Sequence, residues 1–172
     1  MTVVGAVDRP ASPEARFSTL FARHYPAVFG YAARRVGRDE AGDAAAEVFT
    51  VAWRRLSRVP AEPETLPWLY GVAHKVVANQ ERAARRRLRL EARAAVSPGA
   101  AVEAPGAAAL DVEAALLRLG SADREVLRLA AWEELQPAEI AAVLGCSANA
   151  AAVRLHRARQ RLAGEMTREV PS

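Results

Sequence analysis

The sequence is poor in the residue types that carry metal and redox chemistry. Cys146 is the only cysteine among 172 residues, so the chain can form neither an internal disulfide nor a cysteine-based zinc cluster. Aromatic residues make up 6% of the chain, and Lys75 is the only lysine. Although 51% of the residues are hydrophobic, much of that share is alanine, which buries little area per residue. This composition favours small helical domains over a sheet-based enzyme.

Signals for export, membrane insertion and catalysis are also missing. Residues 1–12 lack the basic region of a secretory signal, and no uninterrupted apolar run approaches membrane-spanning length. We therefore expect a cytoplasmic protein with no membrane insertion. The three histidines are dispersed, and no nucleophile–base pair or phosphate-binding glycine motif is visible. We expect no metal, no cofactor and no enzymatic reaction.

Residues 135–162 predict a helix-turn-helix. Pro137 suits the first turn of a helix, where its missing N–H costs nothing, and Gly145 is placed to end that helix. Ser147 can then cap a second helix. The apolar stripe of the first helix consists of Ile140, Ala141, Val143 and Leu144. The apolar face of the second helix consists of Ala151, Leu155, Ala158 and Leu162, which recur at helical spacing.

The opposite face of the second helix is basic. It carries His156, Arg157, Gln160 and Arg161, flanked by Arg154 and Arg159, and residues 147–164 contain no acidic side chain. Surface helices usually interleave both signs of charge. Arginines without a carboxylate neighbour favour DNA phosphates as the counter-charge, and a helix-turn-helix of this kind typically reads a major groove. The alternative is a basic face that is merely solvated.

The predicted fold class is all-α, with two small helical domains joined by a flexible linker. A linker rich in Ala, Pro and Gly separates the domains. The segments are an N-terminal tail, 1–13; the first domain, 14–93; the linker, 94–110; the second domain, 111–165; and a C-terminal tail, 166–172.

Three helices are predicted in the first domain. The first runs from 14 to 36 and contains Pro26, which should kink or break it. The second, 39–56, is acidic in its N-terminal half and basic at its end, in agreement with the helix dipole. The third begins at Pro67 and joins aromatic residues to an arginine-rich end. Aromatic rings beside basic side chains suit stacking on unpaired bases, although aromatic residues at helical spacing more often pack in a core.

Two further helices are predicted before the helix-turn-helix. They cover 111–119 and 121–131, with Gly120 between them and Ser121 as the N-cap of the second. The apolar residues expected to pack beneath the helix-turn-helix are Leu116, Leu119, Val126, Leu127 and Leu129.

Five segments, taken together and in order, resemble the extracytoplasmic-function sigma factors of bacterial RNA polymerase. The segments are FARHYPAVFGYA, DAAAEVFTVAW, PWLYGVAHKVVAN, ADREVLRLAAWEEL and AEIAAVLGCSANAAAVRLHRARQRL. The resemblance implies that the first domain is sigma region 2 and the second is sigma region 4. It implies promoter DNA and core RNA polymerase as partners, with contacts to the clamp helices of the largest subunit and the flap of the second-largest. An anti-sigma factor is a further implied partner.

The resemblance also implies roles for individual residues. The polymerase interface would comprise Asp43, Glu47, Phe49 and Trp53. The alternative for Phe49 and Trp53 is that they are packing residues. Recognition and melting of the −10 element would involve Val59, Trp68, Lys75, Asn79 and Arg82. Recognition of the −35 element would involve Ala152, Val153, Arg154, His156, Arg157, Arg159 and Arg161.

Four positions in or beside these sets carry a residue that differs from the one common in the family. Ala46 stands where glutamine is common, which removes one polar contact to the polymerase. Val59 replaces an aromatic and Lys75 an asparagine, so the base captured at the −10 element is open. Ala152 replaces a commoner basic residue, which relaxes or shifts −35 specificity.

A second interpretation is a classical helix-turn-helix regulator that binds DNA as a dimer. It explains the helix-turn-helix equally well but not the acidic helix followed by an aromatic and basic one. A dimeric regulator should bind a palindromic duplex without polymerase. An enzyme acting on nucleic acid is a third class, and the sequence offers no catalytic constellation for it.

Overall fold

The computed structural model describes residues 12–94 and 107–167, and every regular element in these ranges is helical. The predicted tails and linker therefore lie largely outside the described residues. The helices are α1, Pro13–Val36; α2, Arg38–Arg54; α3, Thr65–Ala94; α4, Ala107–Arg118; α5, Ser121–Ala131; α6, Pro137–Leu144; and α7, Ala148–Thr167. The all-α prediction with two helical domains is confirmed.

The first domain is an α1–α3 bundle whose ends are set by local chemistry. Ser12 accepts a hydrogen bond from the Ala15 amide at 3.2 Å and caps α1. Of the kink or short break predicted at Pro26, the break is absent, because α1 continues through that residue. Neighbouring helices bury the surrounding turns and compensate for the lost backbone hydrogen bond. Gly37 separates α1 from α2 with φ at 87°, a conformation that favours glycine.

A loop at residues 55–64 closes the first domain. Helix α2 stops at Arg54, two residues before the predicted end, and a 3-10 turn follows at Leu56–Arg58. His24 Nε2 lies 2.7 Å from the Glu62 carboxylate, and the Arg16 guanidinium donates to the Val59 carbonyl at 3.0 Å. These contacts fix the loop against α1.

The second domain has the predicted core. The leucines and valine expected beneath the helix-turn-helix are all buried, and full burial of a side chain such as Leu129 contributes roughly 1.5–3 kcal/mol. Helix α4 begins at Ala107, inside the predicted linker. The assignment of Ser121 as an N-cap was wrong, because Gly120 is the cap and no side-chain cap bond forms. Ser121 is instead the first residue of α5.

Helices α6 and α7 form the predicted helix-turn-helix. Gln136 and Glu139 build a capping box at the start of α6. Gly145 ends α6 in the left-handed region (φ 67°, ψ 38°), and Ser147 Oγ accepts from the Ala150 amide at 3.2 Å to cap α7. The chain bends by 104° between the two helices, within the range of DNA-binding helix-turn-helix motifs.

Among the described residues, no single helix is long and apolar enough to cross a membrane. The bent pair α6–α7 meets that criterion by length and composition, but its apolar residues, such as Ile140 and Leu155, lie in the core of the second domain.

The two domains are in contact through α3 and α6. A Cβ added at Gly71 of α3 would lie 3.7 Å from the Val143 Cα and from the Ala142 carbonyl oxygen. The helices therefore approach closely at a position where a larger residue would meet backbone.

Candidate nucleic-acid interface

Helix α7 presents its basic face to solvent because its apolar face is used for packing. Ala151, Leu155 and Ala158 are buried and Leu162 is half-buried, as predicted. Ala152 is half-buried at the edge of the packed face. The remaining predicted −35 residues are all exposed: Val153, Arg154, His156, Arg157, Arg159 and Arg161. One helix face therefore brings together most of the predicted readers.

The charge balance of α7 differs at one position from the sequence-based expectation. Arg161 forms an ion pair with Asp123 of α5, so the interpretation that all four arginines lack a carboxylate neighbour was wrong for this one. The spacing within α7 could not reveal it, because Asp123 lies on another helix. Within the ranges that the structure describes, Arg157 and Arg159 form no ion pair. Their charges remain available for a polyanion.

The predicted −10 residues divide into exposed and buried groups. Lys75, Asn79 and Arg82 are exposed on α3, and Asn79 Oδ1 accepts from the Arg82 guanidinium at 2.5 Å. Trp68 is half-buried. Val59 is buried in this arrangement, and its assignment to the −10 element stays a prediction. Its apolar contacts hold the loop in place.

A groove of about 540 Å³ runs along the start of α3. Trp68 and Lys75 line one side, together with loop prolines including Pro60. The opposite side is formed by α6 of the second domain, through Ala138 and Ala142. An aromatic ring and an ammonium group in one groove can stack on a base and hold a phosphate or base acceptor.

The predicted polymerase residues on α2 are also divided by burial. Asp43 and Glu47 are exposed, and the Trp53 side chain is 44% exposed. Phe49 is only 2% exposed, in agreement with the packing role that the sequence left open, and its assignment to the polymerase interface stays a prediction. It packs against the rings of α1, with its centroid 4.8 Å from that of Phe21. The exposed part of this surface is therefore acidic with one tryptophan at its end.

A charged cluster that sequence analysis did not single out joins the two domains. The Arg35 guanidinium donates to both carboxylate oxygens of Glu125, at 3.0 and 3.1 Å, and to Glu133 Oε1 at 3.2 Å. Arg34 donates to the same Glu133 oxygen at 2.7 Å. The partners lie 90–99 residues apart along the chain, so no local pattern indicates them. We call these four residues the interdomain cluster.

Aromatic residues complete the surroundings of the interdomain cluster. The Arg35 guanidinium carbon lies 3.4 Å from the centroid of the Tyr31 ring, a cation–π arrangement. The Tyr31 hydroxyl donates to Glu125 at 2.9 Å, and the Tyr70 ring stacks on Tyr31 at 5.3 Å. His74 Nδ1 lies 3.5 Å from the Glu125 carboxylate. His74 of α3 therefore faces the other domain.

The ionisation of the cluster follows from this packing. Burial alone would raise the pKa of Glu125, but hydrogen bonding to His74 and the adjacent Arg35 cation lower it to about 2. Burial raises the pKa of the Tyr31 phenol well above its usual range and that of Tyr70 to about 12. Both phenols are therefore neutral near pH 7, and Tyr31 acts as a hydrogen-bond donor.

Comparison with protein-family models gives two matches in chain order. Residues 20–87 match sigma-70 region 2, and residues 109–162 match sigma-70 region 4. The first match spans α1 to α3 with the loop, and the second spans the helix-turn-helix. The comparison with curated proteins found no match.

Solved structures give the same architecture. The sigma factor RpoE of Bartonella quintana, in complex with the anti-sigma factor NepR, is 20% identical with a TM-score of 0.68, over 90% of this chain and 98% of that chain. CnrH, in complex with the cytosolic domain of CnrY, is 26% identical with a TM-score of 0.63, and the match covers 90% of this chain and 89% of that chain. A chain of the PhyRSL–NepR complex of Sphingomonas sp. Fr1 is 15% identical with a TM-score of 0.66, and the match covers 91% of this chain and 92% of that chain. With sigma regions 2 and 4 present in order on this fold, the chain belongs to the sigma-70 family of transcription initiation factors.

Proposed function

We propose that the chain binds core RNA polymerase and directs it to promoters with −10 and −35 elements. The observation that carries this proposal is the helix-turn-helix with an exposed basic face on α7, in a chain that also matches sigma region 2. No reaction is assigned to the chain itself, because the polymerase forms the phosphodiester bonds. A cytoplasmic location follows from this partnership.

Recognition of the −35 element is assigned to the exposed face of α7. Arg157 is the first choice for a bidentate contact to guanine, since its guanidinium is exposed and forms no ion pair within the described ranges. His156 and Val153 lie beside it on the same face. Arg154 and Arg159 suit phosphate contacts, and Arg161 can reach a phosphate if it leaves Asp123. Ala152 offers only an apolar contact at the edge.

Recognition and melting of the −10 element are assigned to the start of α3 and the preceding loop. Trp68 offers a ring face for stacking, and Lys75 offers a donor to a base acceptor or phosphate. Asn79 and Arg82 extend the polar surface along α3. Val59 supports the loop from within the core. The absence of an aromatic side chain there and of asparagine at position 75 predicts a −10 preference unlike that of typical family members.

Binding to the polymerase is assigned to the acidic face of α2. Asp43 and Glu47 offer carboxylates to a basic helix surface, and Trp53 offers a partly exposed ring that can anchor an interface. Phe49 supports that surface from beneath: its ring and that of Trp53 both contact Phe17, with centroids at 6.4 and 5.1 Å. The clamp helices of the largest subunit are the proposed partner of this face. The flap of the second-largest subunit is the proposed partner of region 4.

An anti-sigma factor is a further proposed partner. The support is that the sigma factor RpoE and CnrH were each solved in complex with another protein, which for RpoE is named as an anti-sigma factor. An anti-sigma factor would compete with core polymerase for the free chain.

Transcription with purified core polymerase tests the proposed function. Core enzyme with this chain should produce discrete transcripts from a genomic fragment library, and mapped start sites should share two upstream elements. Core enzyme alone, and core with the Glu47→Arg variant, serve as controls. If the chain adds no start sites and binds a palindromic duplex without polymerase, the classical dimeric regulator is correct instead.

A further inference from the structure

The loop at residues 55–64 connects α2 to α3 and forms part of the groove assigned to the −10 element. Pro60 and Pro63 of the loop line that groove together with Trp68 and Lys75 of α3, and we call it the −10 groove. Holding loop residues in one conformation costs conformational entropy. A loop that forms the wall of a binding groove therefore needs contacts that hold its shape before the ligand arrives.

His24 of α1 holds this loop from inside the helical bundle. Its side chain is 7% exposed, and its Nε2 lies 2.7 Å from Oε1 of Glu62, which is 38 residues further along the chain. An ionised carboxylate can only accept a hydrogen bond, so the imidazole donates it. The bond joins a buried donor on a rigid helix to a loop carboxylate whose side chain is 40% exposed. His24 therefore determines where Glu62 lies.

A second contact from α1 holds the loop three residues earlier. The Arg16 guanidinium donates to the Val59 carbonyl at 3.0 Å, and Val59 is itself buried. Arg16 and His24 lie eight residues apart on α1, which corresponds to roughly 12 Å along the helix axis. Residues 59–62 are therefore attached at both ends to the same rigid element.

Proline limits the conformations that the loop can adopt between these contacts. Pro60 and Pro63 flank Glu62, and their rings restrict the backbone. The buried Thr65, at the start of α3, donates its hydroxyl to the Pro60 carbonyl at 2.8 Å. A stiff segment held at Val59 and Glu62 moves as a unit. Loss of the contact to Glu62 should therefore displace the prolines that line the −10 groove.

Arg23 provides a contrast, because it approaches the same carboxylate from the solvent side. Its Nε lies 3.5 Å from Oε1 of Glu62, and its side chain is 66% exposed. Exposed ion pairs contribute little, since water screens the charges and the long side chain loses rotamer freedom. The buried imidazole of His24, and not the cationic charge near Glu62, is therefore the contact that holds the loop.

We infer that His24 is a positioning residue for recognition of the −10 element: its hydrogen bond to Glu62 holds residues 59–63 in the shape that forms one wall of the −10 groove. Because His24 is buried, it acts through the loop and not by touching DNA. The role in recognition rests on the proposed function. The contact with the loop does not, so separate measurements test the two.

Four variants separate the hydrogen bond from the charge and from the fold. His24→Leu fills the buried site with an apolar side chain but removes the donor. Glu62→Ala removes the acceptor at an exposed position, so it tests the same bond even if His24→Leu does not fold. His24→Gln keeps an N–H donor that can reach Glu62. Arg23→Gln is the matched control, since it removes an exposed charge beside the same carboxylate.

Hydrogen exchange of the free chain tests the contact with the loop. The reporters are the amides of Arg58, Val59 and Glu64, which donate to backbone carbonyls within the loop at 2.7, 3.3 and 3.1 Å. In His24→Leu and Glu62→Ala these amides should exchange roughly tenfold faster, while the amides of α1 to α3 stay protected. His24→Gln and Arg23→Gln should stay within about twofold of the wild type. Unchanged loop protection in Glu62→Ala and in folded His24→Leu would overturn the inference.

Binding to a forked promoter tests the role in recognition. The probe is a promoter fragment recovered in the transcription experiment, with the non-template strand of its −10 element left unpaired. Binding of the complex with core enzyme is followed by fluorescence anisotropy. His24→Leu and Glu62→Ala should bind the probe roughly tenfold more weakly, because the loop wall is no longer preformed, and His24→Gln should restore binding. Affinity for core polymerase should be equal in all variants, since the loop lies outside the acidic face of α2.

Three results would contradict this role. Wild-type affinity for forked DNA in a variant whose loop exchanges faster would show that the loop shape does not matter for recognition. An equal loss of affinity for core polymerase and for forked DNA would show that His24 merely stabilises the whole domain. Failure of the wild type to associate with core enzyme would reject the proposed function and with it the role in recognition, while the exchange result would still decide the contact with the loop.

Discussion

Acidification should open the contact between the two domains, and Glu125 sets the pH range. Its pKa is lowered from 4.5 to about 2, which corresponds to about 3 kcal/mol of preference for the ionised form in the closed state. This stabilisation is fully present above about pH 4.5, where an exposed glutamate is ionised. It is lost progressively as the pH falls toward about 2.

The surroundings of Glu125 explain why this carboxylate dominates the transition. Arg35 keeps its charge throughout, the Tyr31 hydroxyl donates to the carboxylate, and His74 lies at 3.5 Å. Protonation of Glu125 removes one of the two counter-charges of Arg35 while Arg35 stays buried. Glu133, the second carboxylate on Arg35, then carries the remaining attraction.

The assay is the interdomain distance between spin labels at Ser18→Cys and Leu117→Cys, both exposed sites, in a Cys146→Ser background, followed from pH 7 to pH 2 beside helix content. The wild type should change from a narrow to a broad distribution below about pH 4.5, before helix content falls. Glu125→Gln should lack most of this change, since it cannot titrate. A distribution that is constant down to pH 3, or identical pH curves for the wild type and Glu125→Gln, would refute the reasoning.

The remaining predictions concern single residues. Arg157→Ala should lose roughly 1–3 kcal/mol of discrimination at one −35 base pair. Arg159→Ala should instead weaken binding to all sequences and reduce the slope of log binding constant against log salt concentration by about 1. Identical effects of the two variants in a promoter library would contradict these roles. Glu47→Arg should weaken binding to core polymerase by reversing an exposed charge, and an unchanged affinity would remove it from the interface. Lys75→Asn should change the preferred −10 base, and a flat library response would show that Lys75 does not read it. Gly145→Ala should lower the free energy of unfolding by roughly 1–2 kcal/mol, because φ is 67° and no neighbouring atom offers compensation; an unchanged melting temperature would contradict this.

The sequence predicted the features that depend on local chemistry. The glycine that ends α6, the serine that caps α7 and the buried face of α7 follow from spacing and capping rules, and all are present. The apolar set beneath the helix-turn-helix was likewise predictable. Each of these depends on residues within a few turns of one another.

The sequence could not reveal features that depend on tertiary partners. Helix α1 passes through Pro26 because burial against α2 and α3 outweighs the lost hydrogen bond. The sequence left open whether Phe49 packs in the core or faces a partner, and only the rings of α1 show that it is buried. The ion pair of Arg161 with Asp123 joins two helices.

The interdomain cluster is the clearest example of this limit. Glu125 and Glu133 are ordinary acidic residues of a helical segment when the sequence is considered alone. Their role depends on Arg35, which lies beyond the linker at the end of α1. Only the packing of the two domains on each other brings these charges together.

Association with core polymerase tests the central claim most directly. The purified chain should form a one-to-one complex with core enzyme at low salt, detected by size exclusion or by fluorescence anisotropy of a labelled chain. The complex, and not the chain alone, should then retain duplex promoter DNA. A chain that does not associate with core enzyme, and that binds palindromic DNA as a dimer, would contradict the account.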